Sequence, residues 1–274
     1  MSENLSIAFI GGGNMANALA SGMTKSLCDA SSFHVVDIND EVLKQWEAKG
    51  ASVSNIMDDT LANKRIWILS VKPQFLHQAI EAAKPFLHTD TLIISVAAGV
   101  SSDTISKWLG SDNKPWTKLI RCMPNTPALI GKGATGMFAL DGVTESEKYI
   151  ANQIMNSVGQ VVWVSSDDDI NAVTALSGSG PAYVFLFMEA MIKSGISLGL
   201  SEDQSKQLAM ATVSGAAQLA ISSTEEIQIL RDRVTSKGGT TAAALSEFQS
   251  SDFERVINSA MHAAYNRAIE LSKG

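Results

Sequence analysis

Over the first part of the chain, short aliphatic runs alternate with amphipathic stretches. Continuous apolar runs at 5–10 (LSIAFI), 33–37, 65–71, 91–96 and 117–123 read as strands buried on both faces, with later strands at 135–140 and 160–164. Helical spacing predicts helices over 14–27 and 40–49, and Pro73 suits the first position of a helix after the third run. Ile- and Val-rich strands separated by helices predict an α/β domain with a parallel sheet covered on both faces. The pattern changes after residue 164. From 167 onward only helical periodicity remains, clearest at 203–221 and 252–272, and it is interrupted at SGSGP (177–181) and TSKGGTT (235–241). The expected organisation is an N-terminal domain over 1–165 and an all-helical C-terminal domain over 166–274. The SSDDD at 165–169 supplies a turn and a cap cluster at the boundary.

Composition narrows the function classes. The chain is 45% apolar and 18% charged, which fits a soluble protein with a core. A formal charge of −7 argues against a nucleic-acid partner. The longest apolar stretch, 181–200, contains Glu189 and Lys193, so it reads as a buried helix and no membrane association is expected. The start, MSENLSIAFIGGG, lacks the basic region of a signal peptide. Cys28 and Cys122 form no C-x-x-C pair and read as free thiols in a reducing cytoplasm. The four histidines are scattered, so no metal site and no histidine-based triad are expected.

Candidate chemistry lies in punctuated stretches. GGGNMA (11–16) follows a strand, opens a helix and fits G-x-G-x-x-A. Gly11 would make the tight turn, Gly13 would admit a diphosphate, and Ala16 would allow close helix–strand packing. With Gly12, Asn14 and Met15 these residues form a candidate dinucleotide loop, which makes the first domain a Rossmann-type doubly wound sheet. Asp37, ending the second strand, suits the hydroxyls of an adenosine ribose and opposes a 2′-phosphate, although Asn39 could contact one; NADH and NADPH both stay open. Asp37 and Asp40 are also candidate helix caps. Ser70, Val71, Lys72 and Pro73 end the third strand, and Ala97 and Ala98 the fourth, where ligands of open α/β sheets collect. RCMPNTP (121–127) reads as a ligand loop or as a structural turn. In TSKGGTT, hydroxyls and glycines precede a helix start, the place for a carboxylate or phosphate.

Taken together, GGGNMA, SVKPQ, VAAGV, MPNTPALIGKGATGM, LSGSGPAYVF and VTSKGGTTAAAL resemble pyrroline-5-carboxylate reductases, each motif occurring once and in that family's order. The resemblance implies hydride transfer from NADPH or NADH to C5 of 1-pyrroline-5-carboxylate, giving L-proline in the last step of proline biosynthesis. It implies a homodimer built through the helical domain, or a larger homo-oligomer of dimers. It places the substrate on Ser236, Gly239, Thr240 and Thr241, with Thr241 near the ring nitrogen as the catalytic candidate. The diphosphate falls to Gly11, Gly13 and Asn14, and the nicotinamide side to Lys72 and Ala97–Ala98. Two positions depart from the family: Lys237 replaces a frequent proline, and Glu226-Ile227 replaces a frequent His-Pro pair; Asp37 also stands where NADPH-preferring members often have Ser, Thr, Asn or Arg. Two alternatives remain at this stage, a two-domain imine or β-hydroxyacid reductase and a non-catalytic NAD(P)H-sensing module.

Overall fold

The computed structural model describes residues 5–272. One compact unit runs to Ser179 and takes in the chain from Ala264; the other is Gly180–Ala263. The expected boundary at 165/166 falls just before a short helix inside the first unit.

The first unit is built on one eight-stranded sheet. Its strands are β1 (Ile7–Ile10), β2 (Phe33–Val36), β3 (Ser52–Ser54), β4 (Ile66–Leu69), β5 (Leu92–Ser95), β6 (Leu119–Met123), β7 (Gly133–Ala139) and β8 (Gly159–Trp163). The order is β3-β2-β1-β4-β5-β6-β7-β8, so the connection from β3 to β4 reverses the direction of winding beside β1. Such a reversal opens a crevice at the strand C-termini. The strands β1, β2, β4 and β5 are buried at every residue. Their period-two alternation feeds both faces: Ile7 and Phe9 pack with Leu19, Phe33 and Trp46, whereas Ala8 and Ile10 pack with Trp67, Leu69 and Leu76. The covering helices are α1 (Asn14–Ser26), α2 (Asp40–Glu47), α3 (Pro73–Ala83), α4 (Ser102–Leu109), α5 (Glu145–Asn156) and α6 (Asp169–Val173). Pro73 opens α3, as expected.

Three features differ from expectation. Strand β3 is too short and polar, SVS, to show a pattern. Strand β7 runs antiparallel to β6, with Cys122 opposite Met137, because residues 124–132 are too few for a crossover helix. SGSGP does not break the chain: one π-turn, Thr174–Gly178, leads into the next helix, with Ser179 N–H donating to Thr174 O at 2.8 Å. That turn leaves Ser177 O to accept from Asn125 Nδ2 at 3.0 Å, while Asn125 Oδ1 accepts from Ala134 N–H at 2.9 Å. Asn125 therefore ties the β6–β7 connection to the π-turn, the structural reading of RCMPNTP.

The second unit is helical: α7 (Gly180–Ser197), α8 (Glu202–Ser222), α9 (Ile227–Arg233), α10 (Thr240–Ser250) and the first part of α11 (Phe253–Ser272). Ser201 and Gln204 form a capping box at the start of α8. Helix α7 meets α8 where Gly195 has Ser205 against its backbone. The apolar stretch 181–200, expected to be a buried helix, is instead exposed at Phe185, Leu186 and Phe187 on α7; Leu208 and Ile221 on α8 are exposed as well. By length and composition alone the continuous run Asp169–Ser197 could cross a membrane; it carries Glu189 and Lys193.

Two polar groupings pin the first unit. Arg121 on β6, 2% exposed, donates from Nη1 to Asp167 Oδ2 at 2.9 Å, and the same carboxylate accepts from Ser102 N–H at the start of α4. At the start of α5, Thr144 and Glu147 form a capping box, and Lys118 Nζ lies 2.6 Å from Glu147 Oε1. Burial pushes the Glu147 carboxyl up, but the bonds from Lys118 and from the Thr144 N–H and O–H outweigh it and hold the pKa below its ordinary value. Both thiols are raised, Cys28 by partial burial and Cys122 far more by complete burial.

Replacing Asp167 by Ala leaves a buried guanidinium without a counter-ion. The expected cost is about 3–5 kcal/mol, read as a lower denaturant midpoint, and a second change, Arg121→Met, recovers most of it. The lowered pKa of Glu147 sets the sign of a pH effect: its contribution is full above the unfolded carboxylate range and is lost as pH falls. The stability gap between wild type and Glu147→Gln is therefore expected to narrow on acidification, and urea melts across pH 7 to 3 check it.

Candidate active site

The loop between β1 and α1 is shaped by its neighbours. Gly11 has φ +95°, and a side chain on it would begin 2.9 Å from the backbone of Ser70. Its N–H donates to Val36 O at 2.8 Å, while Ser70 Oγ donates to its carbonyl at 2.5 Å. The side chain of Val71 packs on the same glycine. Ser70 and Val71 thus form the floor of the turn. Lys72 caps α3 from an exposed position, Ala97 is buried and Ala98 is exposed at the end of β5.

Gly12 is held on both sides. Its N–H donates to Asp37 Oδ2 at 2.8 Å. Its carbonyl accepts from Trp46 Nε1 at 2.9 Å and from Asn17 Nδ2 at 2.8 Å. Lys49 Nζ in turn donates to Asn17 Oδ1 at 2.5 Å and lies 5.4 Å from the centre of the Trp46 ring. Of these partners, Asp37 was a sequence candidate; Trp46, Asn17 and Lys49 were not. The other oxygen of Asp37 accepts from Asn39 N–H at 2.9 Å. The cap of α2 is Asn39, whose side chain accepts from Glu41 N–H, rather than Asp37 or Asp40.

Gly13 completes the loop as the N-cap of α1, with no side chain bonded to the first N–H groups of that helix. No atom lies within 4 Å of where a Gly13 side chain would begin. Open space above N–H groups of Asn14 and Met15, at the positive end of a helix, fits the diphosphate of a dinucleotide.

The second punctuated loop is likewise an uncapped helix start. Helix α10 begins at Thr240 with Gly239 as N-cap and no side-chain cap bond. Gly238, with φ +73°, turns the chain so that Gly239 N–H donates to Ser236 O at 3.0 Å. Ser236 Oγ lies 2.5 Å from the place a Gly239 side chain would occupy. Ser236, Gly239, Thr240 and Thr241 therefore gather around free N–H groups. Thr235 does not join them; its hydroxyl donates back to Arg231 O at 2.7 Å, finishing α9. Lys237 is exposed. No cluster of His, Cys, Asp and Glu suited to a metal occurs among the described residues.

A family model described as pyrroline-5-carboxylate reductase dimerisation matches residues 167–271, and one described as NADP oxidoreductase, coenzyme F420-dependent, matches residues 6–99. A pyrroline-5-carboxylate reductase of Pseudomonas aeruginosa is 39% identical over 97% of each chain. The solved structure of such a reductase from Coxiella burnetii is 38% identical, with TM-score 0.92, covering 99% of this chain and 100% of that one. The Plasmodium falciparum enzyme, solved with NADP bound, is 28% identical with TM-score 0.85, covering 99% and 100%.

Gly11→Ala would force a side chain into the Ser70 backbone at an unfavourable φ. Titration of the purified variant is expected to show no cofactor binding at concentrations that saturate wild type, with a stability loss of about 2 kcal/mol or more.

Proposed function

The chain belongs to the pyrroline-5-carboxylate reductase family, and on that footing we propose that it reduces 1-pyrroline-5-carboxylate to L-proline, the closing step of proline biosynthesis. The observation that carries this reading is the uncapped start of α10 behind Ser236, Gly238 and Gly239. An aliphatic carboxylate would take its N–H groups and the adjoining hydroxyls.

Gly13, Asn14 and Met15 hold the diphosphate in this reading, on a turn that Gly11 and Gly12 shape through their bonds to Val36, Asp37 and Trp46, and Lys72, Ala97 and Ala98 border the nicotinamide. Ser236, Gly239 and Thr240 hold the substrate carboxylate. The bound nicotinamide supplies the hydride that adds to C5. A protonated imine is already electrophilic, so the protein's main contribution is orientation, worth up to about 7–11 kcal/mol in favourable cases. Thr241 orients the ring nitrogen or relays its proton.

Asp37 decides between NADH and NADPH in this proposal. Both its oxygens accept from backbone N–H groups, and a carboxylate held at the end of the second strand suits ribose hydroxyls and opposes a 2′-phosphate. Functional domains 1–165 and 166–274, with cofactor on the first and substrate on the second, fit the two family matches. The exposed apolar side chains of α7 and α8 suit burial in a homodimer, or in a larger assembly of dimers. A cytoplasmic enzyme without membrane or nucleic-acid partners completes the reading.

The test is oxidation of NADPH and of NADH by purified protein with 1-pyrroline-5-carboxylate. Substrate-dependent oxidation is expected with both, and Asp37→Ser is expected to raise the NADPH-to-NADH ratio of kcat/KM. Binding of cofactor with no turnover would overturn the reading. Thr241→Ala is expected to lower kcat about tenfold or more with cofactor KM nearly unchanged.

A further inference from the structure

We propose that Trp46 is a positioning residue for the cofactor, acting through the peptide between Gly12 and Gly13. The inference rests on the placement of the dinucleotide at the β1–α1 loop. A trans peptide points its carbonyl and its N–H to opposite sides. The Gly12 carbonyl is drawn toward α2 by the buried bond from Trp46 Nε1, and a second bond, from Asn17 of α1, holds it there. The Gly13 N–H is thereby aimed the other way. Were this peptide to flip, a carbonyl oxygen would face the diphosphate in place of an N–H donor.

Glycine gives that peptide its freedom, so the restraint must come from outside the loop. The indole supplies it by contact as well as by hydrogen bond: a side chain on Gly12 would begin 2.7 Å from Trp46 Nε1. The ring is itself fixed, 1% exposed, against Phe9 and Phe33 at centroid distances of 5.3 and 6.5 Å. Lys49 extends the restraint by bonding Asn17 and lying over the ring. The neighbouring peptide, Gly11–Gly12, is held independently by Asp37. Two successive peptides are thus set before any ligand arrives, which lowers the ordering cost of binding.

Trp46→Phe removes the donor and keeps an aromatic ring. Steady-state kinetics of the full-length protein are expected to show cofactor KM raised about tenfold, the scale of one hydrogen bond. The values of kcat at saturating cofactor and of KM for 1-pyrroline-5-carboxylate are expected to stay within about twofold of wild type. A structural role alone would instead lower the melting temperature and reduce activity in proportion, leaving both KM values unmoved; that result, or an unchanged cofactor KM, overturns the proposal. If Trp46→Phe does not fold, Asn17→Ala on the surface of α1 decides: a several-fold rise in cofactor KM supports the proposal and no rise overturns it. Gly13→Ala has room for its methyl group and separates the underlying reading. An unchanged cofactor KM there removes the cofactor from this loop. A raised value there with no effect of Trp46→Phe removes only the positioning role.

Discussion

The end of β1 runs so close to the end of β4 that nothing larger than a hydrogen atom fits on Gly11. That contact sets the direction in which the chain leaves the sheet and enters α1. It depends on β1 lying parallel between β2 and β4, with Ile10 level with Val36 on one side and Leu69 on the other. The loop, the open face of Gly13 and the uncapped N-terminus of α1 all inherit their positions from this packing. In this fold the binding surface is a consequence of strand register, and side chains refine it.

The two units bury apolar surface differently. The sheet unit closes a core on both of its faces, with its central strands β1, β2, β4 and β5 fully buried. The helical unit leaves Phe185, Leu186, Leu208 and Ile221 outside. Its sequence matches a dimerisation family, so homo-oligomer formation gives these side chains a destination. A second copy then contributes to stability much as a second layer does within the sheet unit.

Much of this was legible in the sequence, because runs of Ile and Val flanked by glycine have few structural meanings. The strands from β1 to β8 other than β3 were visible as apolar runs, and the glycine loop and TSKGGTT announced themselves by composition. Parallel pairing was over-extended to β7, whose reversal depends on connection length rather than on hydrophobic pattern. The stretch 181–200 was read as buried because apolar residues do not say whether their cover comes from the same chain or another. Trp46 could not be linked to Gly12, since the bond spans 34 residues and the indole looks like any core aromatic in α2. Asn39 was chosen over Asp40 as the cap by backbone geometry, which side-chain preference alone does not resolve.

Cys122 lies near the end of β6, beside Arg121, with its thiol sealed from water and its ionisation strongly suppressed. A thiolate reacts and a buried thiol does not. Alkylation at this position therefore requires β6 to open, and its rate becomes a clock for excursions of the sheet. The native protein carries its own internal timer of breathing, in the strand that also holds Arg121.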